Sequence, residues 1–257
     1  MKLTIVASNR NRLDLNSPST QWFLKSIQWQ NYKDFELLIA DGGSSNYNEL
    51  KEYFEKSHQD IPMRIIQHKI GEPFERALLN NVGIRNSKGE YAMCTDVDML
   101  LSKNFVSTLI NNVSENSFIE SRTMYWKSKL INKIYSGELD PYGDLDKCKI
   151  GRIKQRTTCG GCQCTSVNNW NSLRGYNEAF IGWGSEDYDL LTRAALMRLN
   201  IKWLGGSIED IMLFHQPHAK TEQQVKIDLE HQEKNKVLLK NIKHYSTNIN
   251  KWGGIAD

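Results

Sequence analysis

The first hundred residues switch between two hydrophobic periods. Residues 3–7 form a short apolar-rich run of the kind that makes a buried strand. Ser17-Pro18 opens a helix, with proline at its first position, and Trp22, Phe23, Ile27 and Trp29 share one face. Residues 35–40 predict a second strand, closed by the turn sequence Asp41-Gly42-Gly43-Ser44-Ser45. A helix through Leu50, Tyr53 and Phe54 and a strand over 63–67 follow. Residues 74–85 carry Ala77, Leu78, Asn81 and Val82 at helical spacing, and 91–95 predict a fourth strand ending at Asp96. This alternation predicts an α/β fold with a mostly parallel sheet. Such sheets bind ligands beyond the carboxyl ends of their strands, where Asp41 and Asp96 both fall.

The pattern then changes. Residues 122–156 hold nine Lys or Arg against four Asp or Glu, with Gly137, Pro141 and Gly143 among them. This reads as a long, basic, partly irregular excursion, either a binding loop or lid or a solvated insertion. Strand character resumes over 159–166. Ser185 is the expected N-cap of a helix whose apolar face is Leu190, Leu191, Ala194, Ala195 and Met197. Another apolar run precedes His215. Residues 220–244 predict a polar, mixed-charge helix that packs on the domain or meets a partner or membrane surface.

Composition narrows the class. A chain of 257 residues with 39% hydrophobic content can bury one large core. A net charge of +3 argues against a nucleic-acid partner. No signal core and no apolar run of about 18 residues is present, so the expected location is the cytoplasm. Five cysteines, Cys94, Cys148, Cys159, Cys162 and Cys164, are an odd count that argues for reduced thiols. The Cys159, Cys162, Cys164 cluster lacks a fourth ligand at zinc spacing and reads as small buried hydrophobes.

Two acidic motifs carry candidate chemistry. Asp96-Val97-Asp98 leaves the apolar run of 91–94, at the functional end of a strand. Paired carboxylates there can hold a hard cation against a diphosphate, although the triplet also fits a solvated turn. In Gly182-Trp183-Gly184-Ser185-Glu186-Asp187-Tyr188-Asp189, acids in the first helical turn satisfy the macrodipole. The same field is expected to keep a carboxylate ionised for general-base work. A Trp between two glycines offers a flat apolar face that suits a sugar ring. His215 is a candidate third metal ligand, with His218 as the fallback.

Together these residues resemble the metal-dependent nucleotide-sugar glycosyltransferases of the A-type (GT-A) fold. The N-terminal half is similar to glycosyltransferase family 2. The C-terminal half is similar to the β-1,4-galactosyltransferases and the bacterial chondroitin polymerase. The resemblance spans roughly residues 3–220 and is specific at 74–83, 95–99, 160–161, 182–189 and His215. It implies Mn2+ (or Mg2+) held by Asp96, Asp98 and His215, with Asp98 the more direct ligand. A UDP-sugar donor would be bound by Ser8, Asn9, Arg10, Arg12, Asp41, Arg76, Asp96, Val97 and Asp98. It also implies Asp187 as base with Glu186 positioning hydroxyls, and Trp183, Gly160, Gly161, Gly182 and Gly184 lining the substrate site. Ser185 stands where the galactosyltransferases have glycine, and the basic excursion has no counterpart; both leave the acceptor open.

The expected activity is inverting transfer of a hexose or N-acetylhexosamine, galactose or N-acetylgalactosamine favoured. The acceptor would be a glycan or lipid-linked saccharide, in surface polysaccharide synthesis, with peripheral contact at the inner membrane face. The expected domains are 1–219, split into a nucleotide-binding half (1–100) and an acceptor half (101–219), and a C-terminal helical extension (220–257). Two rival readings are a sugar-phosphate nucleotidyltransferase, for which Asn9-Arg10-Asn11-Arg12 is a poor phosphate loop, and a sugar-binding protein without turnover.

Overall fold

The computed structural model describes residues 1–56, 60–140, 152–153, 159–205, 212–218 and 220–256. In chain order the elements are β1 (Leu3–Asn9), α1 (Pro18–Gln28), β2 (Phe35–Asp41), α2 (Tyr47–Lys56), β3 (Met63–Gln67), α3 (Arg76–Arg85) and β4 (Tyr91–Asp96). Next come β5 (Met99–Leu101), α4 (Phe105–Asn112), β6 (Ser117–Ser121), β7 (Thr123–Tyr125), α5 (Ser128–Tyr135), β8 (Arg152–Ile153) and β9 (Gln163–Ser166). The remainder is α6 (Val167–Leu173), α7 (Glu186–Leu196), β10 (Asn200–Leu204), β11 (Leu213–His215), α8 (Glu222–Leu239), β12 (Lys251–Trp252) and β13 (Ile255–Ala256).

The main sheet runs β10-β6-β9-β4-β1-β2-β3. All its pairings are parallel except those of β9, which lies antiparallel between β4 and β6. β1, β2 and β4 are buried almost end to end, as strands covered on both faces must be. Leu3, Ile5, Leu37, Ile39 and Met93 fill one side, with Phe23, Ile27 and Phe54 from the helices. Val6, Ala92 and Cys94 fill the other, with Trp170, Tyr176 and Leu190.

Helix α3 starts at Arg76, two residues later than the hydrophobic pattern predicts. It lies directly on β1 because Gly83 has no side chain; a Cβ there would stand 2.2 Å from Val6 Cγ1. This close approach sets the N-terminal end of α3, and Arg76 with it, over the carboxyl ends of β1 and β4. Asp41 and Asp96 both end their strands, where the alternation predicts them.

Several sequence expectations change. The stretch 122–156 is built at its start: β7 and α5 bury Met124, Trp126, Ile131 and Ile134 against Phe214. Its charge balance hid the Ile131/Ile134 pair, spaced to face one side of a helix. Residues 141–151 and 154–158, and with them Cys148, lie outside the described residues. In α7 the buried face is Glu186, Asp189, Leu190, Arg193 and Ala194, while Ala195 is exposed. A buried Arg193–Asp189 ion pair takes the place of apolar residues. Trp29 sits at the end of α1, half-buried, with Lys25 over its ring and over Trp22.

The C-terminal extension is not wholly helical. Beyond α8, Asn248 bonds Arg174 and Tyr176, the Gly253 amide bonds Glu178, and Trp252 is buried in the core. Residues 248–254 therefore complete the domain. No helix among the described residues is long and apolar enough to cross a membrane.

Candidate active site

The strand-end loops are built first. Asn9, the last residue of β1, donates to Asp41 Oδ2 at 2.8 Å and to Ser44 Oγ at 3.0 Å. Its side-chain Oδ1 accepts the Arg12 and Leu13 amides, which turns the chain back over the sheet. Asp41 accepts the Gly43 and Ser44 amides and has no exposed surface. Both Asp41 oxygens thus organise this loop. Ser8 is likewise buried in β1. Arg10 is held by the Gly71 carbonyl and Glu72. Val97 is buried between the two acids, a core residue whose side chain anchors the turn.

Arg76 is the hub of the acid cluster. Its Nε donates to Asp96 at 2.8 Å, its Nη1 to Asp187 at 2.9 Å and to Glu186 at 3.3 Å, and its Nη2 to the Gly160 carbonyl at 3.0 Å. It is buried, so these three carboxylates hold its charge strongly. In this arrangement the guanidinium is fully engaged with protein groups.

Glu186 and Asp187 occupy the first turn of α7. Ser185 stands at the cap position but in the left-handed region (φ 76°), and its side chain makes no cap bond. The helix field expected to keep a carboxylate ionised is opposed here by burial. Burial pushes the Glu186 and Asp187 carboxyls up, Asp187 adds repulsion at Glu186, and Arg76 offsets only part of it. Glu186 is enclosed, and its Oε2 has no partner. Asp187 keeps 19% of its side chain exposed, so it is the member of the pair that can meet a substrate. Gly160 (φ 106°) passes so close that a Cβ would stand 2.2 Å from Asp187 Oδ2. The Gly161 carbonyl accepts from Thr95 Oγ1 at 2.7 Å, tying this turn to the end of β4.

A second cluster lies beside the first. β11 pairs antiparallel with β5, bringing His215 opposite Met99 and next to Asp98. The Gln216 amide donates to the Asp98 carbonyl and closes the contact. His215 Nε2 is 3.7 Å from Asp98 Oδ1, and His218 Nε2 is 3.5 Å from Oδ2. One ligand atom from each of Asp98, His215 and His218 lies within 4.8 Å of the others. Asp98 Oδ1 is buried without a partner, which a bound cation would satisfy. Burial and the neighbouring Arg12 guanidinium hold the His218 imidazole below its usual range, neutral and ready to ligate. Arg12 itself donates to Asp98 Oδ2 at 2.7 Å. Asp96 is absent from this group because it faces Arg76, and His218 takes the place expected for it.

The remaining wall carries Trp183, 48% exposed, with Lys220 Nζ 4.9 Å from its ring centre. The loop of Gly182 and Gly184 around it is held by Asn235 of α8, whose Nδ2 donates to the Ile181 and Gly184 carbonyls. Asn235 is the one fully buried residue of this helix, which a capping box of Thr221 and Gln224 starts. Asn235 and Gln163, which links Glu120 to the Asp187 carbonyl, escaped the sequence reading. Neither has a sequence signal, since each matters through contacts 24 to 54 residues away.

The cysteines form no ligand set among the described residues. Cys94, Cys162 and Cys164 are free and buried, and burial pushes the Cys94 thiol up to about 12.

Comparison with known proteins gives a family and a fold. The family described as glycosyl transferase family 2 matches residues 5–156, and the N-terminal domain of galactosyltransferase matches 144–218. An uncharacterized glycosyltransferase of Rickettsia felis is 32% identical over 118 residues, covering 44% of this chain and 19% of that protein. Another from Rickettsia bellii is 26% identical over 140 residues, covering 53% and 19%. The chain therefore spans about a fifth of the length of these relatives. Among solved structures, the mannosyltransferase PcManGT of Pyrobaculum calidifontis, with GDP-Man and Mn2+, superposes with a TM-score of 0.62 at 16% identity. That match covers 95% of this chain and 65% of the mannosyltransferase. TarS of S. aureus, residues 1–349 with UDP, gives 0.57 at 14% identity over 90% and 64%. At these identities the likeness is one of fold.

Proposed function

The chain belongs to glycosyl transferase family 2, and from that premise we propose that it moves a sugar from a UDP-sugar to a saccharide hydroxyl with inversion, aided by a divalent cation. The observation that carries this is the meeting, at the carboxyl edge of one sheet, of an Asp98–His215–His218 ligand set and a buried Glu186–Asp187 pair.

The ligand set fits a metal ion. One carboxylate and two imidazoles suit Mn2+ better than Mg2+, which prefers oxygen donors throughout. Such an ion would neutralise charge on the departing diphosphate. The side chains do the rest. Arg10 and Arg12 stand at the mouth of the nucleotide cleft, where cations favour a diphosphate. Asp187, with its carboxyl partly exposed and its affinity for protons raised by burial, takes the proton of the acceptor hydroxyl. That hydroxyl attacks the anomeric carbon opposite the leaving group, and one displacement inverts the configuration. Arg76 fixes the Asp187 carboxylate and steadies its charge before the proton arrives. Trp183 supplies the stacking face for the acceptor ring.

The galactosyltransferase match at 144–218 favours galactose or N-acetylgalactosamine as the transferred sugar, and a glycan or lipid-linked saccharide as acceptor. Residues 1–205 and 212–218 form the transferase domain in this reading, with 248–254 returning to it. Contact with an anionic membrane, if a lipid-linked acceptor requires it, falls to the basic stretch 122–156. Within α8 three lysines are outnumbered by four acids.

The test is a screen of nucleotide-sugars for manganese-dependent hydrolysis and transfer. Asp187→Asn should lower turnover by at least about 100-fold, the usual weight of a general base, while UDP still binds. A variant with normal turnover would remove Asp187 from the role.

A further inference from the structure

Glu120 is the fourth of the five residues of β6 and has no exposed surface. A carboxylate in a covered strand costs stability, and an apolar residue of similar size would pack there without that cost. It has two ties. The β6–β9 register sets it opposite Gln163, whose Nε2 donates to Glu120 Oε1 at 2.6 Å. The Gly160 amide donates to the same carboxyl. Its other oxygen, Oε2, has no partner.

Both ties end at Asp187. Gln163 Nε2 also donates to the Asp187 carbonyl at 3.1 Å, and Gln163 Oε1 is held by Tyr176 Oη at 2.8 Å. Gly160 is the residue whose Cα faces the Asp187 carboxylate, and its carbonyl accepts from the Arg76 that grips that carboxylate. Glu120 thus braces the backbone of Asp187 on one side and the floor beneath its carboxylate on the other.

We propose that Glu120 is a positioning residue, acting through Gln163 and the Gly160 amide to set where the Asp187 carboxylate stands. The inference rests on Asp187 being the base assigned above. Burial pushes the Glu120 carboxyl well up, so a further charge is disfavoured beside the Asp96, Glu186 and Asp187 carboxyls that surround one guanidinium. Cys159, Cys162 and Tyr176 are the other titratable groups that sense Glu120, and burial keeps them protonated. What Glu120 supplies is an accepting oxygen at a fixed place, which a glutamine can also offer.

Wild-type protein, Glu120→Gln and Glu120→Met are compared in three measurements: manganese-dependent hydrolysis of UDP-galactose, calorimetric binding of UDP with Mn2+, and crystal structure. Glu120→Met should lower kcat by roughly 10- to 100-fold, the effect of misplacing a reacting group by about an ångström. KM and UDP affinity should stay within about twofold, because donor binding is untouched. Thermal stability should not fall, so the lost rate cannot be ascribed to unfolding. Glu120→Gln should recover most of the rate. In the crystals the Asp187 carboxylate should shift in Glu120→Met and stay in place in Glu120→Gln.

An unmoved Asp187 in Glu120→Met would overturn the proposal. So would a glutamine variant as impaired as the methionine one, or UDP affinity falling in step with kcat. Wild-type protein that hydrolyses no UDP-galactose would count against the donor or the transferase reading, while the displacement of Asp187 is read without turnover.

Discussion

Glu186 stands behind Asp187 with one oxygen on Arg76 and the other unpartnered. Burial and the neighbouring Asp187 charge push its carboxyl from 4.5 up to about 7. The folded protein therefore binds more protons than the unfolded chain between those values. Stability associated with the protonated acid is present below pH 4.5 and is lost as pH rises through 7. Glu186→Gln removes this group from the balance. In melting curves taken from pH 5 to 8, wild type should lose ground steadily against the variant, which keeps the shape but not the titration. Parallel curves would show that Glu186 is ionised throughout. At this scale the sequence named the acids but not the burial that opposes their charge, because a helix terminus is visible in a sequence and the neighbours that enclose it are not.

At the scale of elements, α8 is instructive. Its eighteen residues of mixed charge meet the Trp183 loop through His231, Gln232 and the buried Asn235, which holds both ends of that loop. Asn235→Ala removes two hydrogen bonds and leaves two carbonyls facing an alanine. The cost should be about 1–3 kcal/mol of loop stability. Amide exchange at 182–185 should accelerate, and KM for a saccharide acceptor should rise while donor hydrolysis keeps its rate. If exchange there is unchanged, α8 does not hold the loop. The polarity of α8 was plain in its composition. Its docking was not, since the face centred on His231, Gln232 and Asn235 is polar and leaves no apolar trace. The apolar strands β1, β2 and β4 were legible for the opposite reason: full burial imposes an unbroken apolar run.

The whole molecule brings the two clusters together. Asp98 and His215 are far apart in the chain and adjacent only because β11 returns beside β5. If these residues bind a cation, Mn2+ at about 100 times its Kd should add about 2.7 kcal/mol of stability, which for a chain of this size raises Tm by roughly 5–10 °C. His218→Ala should abolish most of that rise, and Asp96→Asn should leave most of it, since Asp96 faces Arg76 instead. A thermal-shift titration reads both variants without any donor sugar. The opposite ranking would return Asp96 to the ligand set and remove His218.

The sequence alone determined the α/β alternation, the ends of the strands that carry Asp41 and Asp96, and the residue types available for metal binding and proton transfer. These follow from local periodicity and from chemistry that each side chain carries with it. The tertiary structure decided which of those residues face one another: Arg76 turned to three acids, His218 joined to Asp98, Asp41 spent within its loop, and Glu120 set beneath Asp187. Contacts between distant segments depend on strand order, register and close helix packing. Their energies arise only after the chain has closed, so no window of local sequence can contain them.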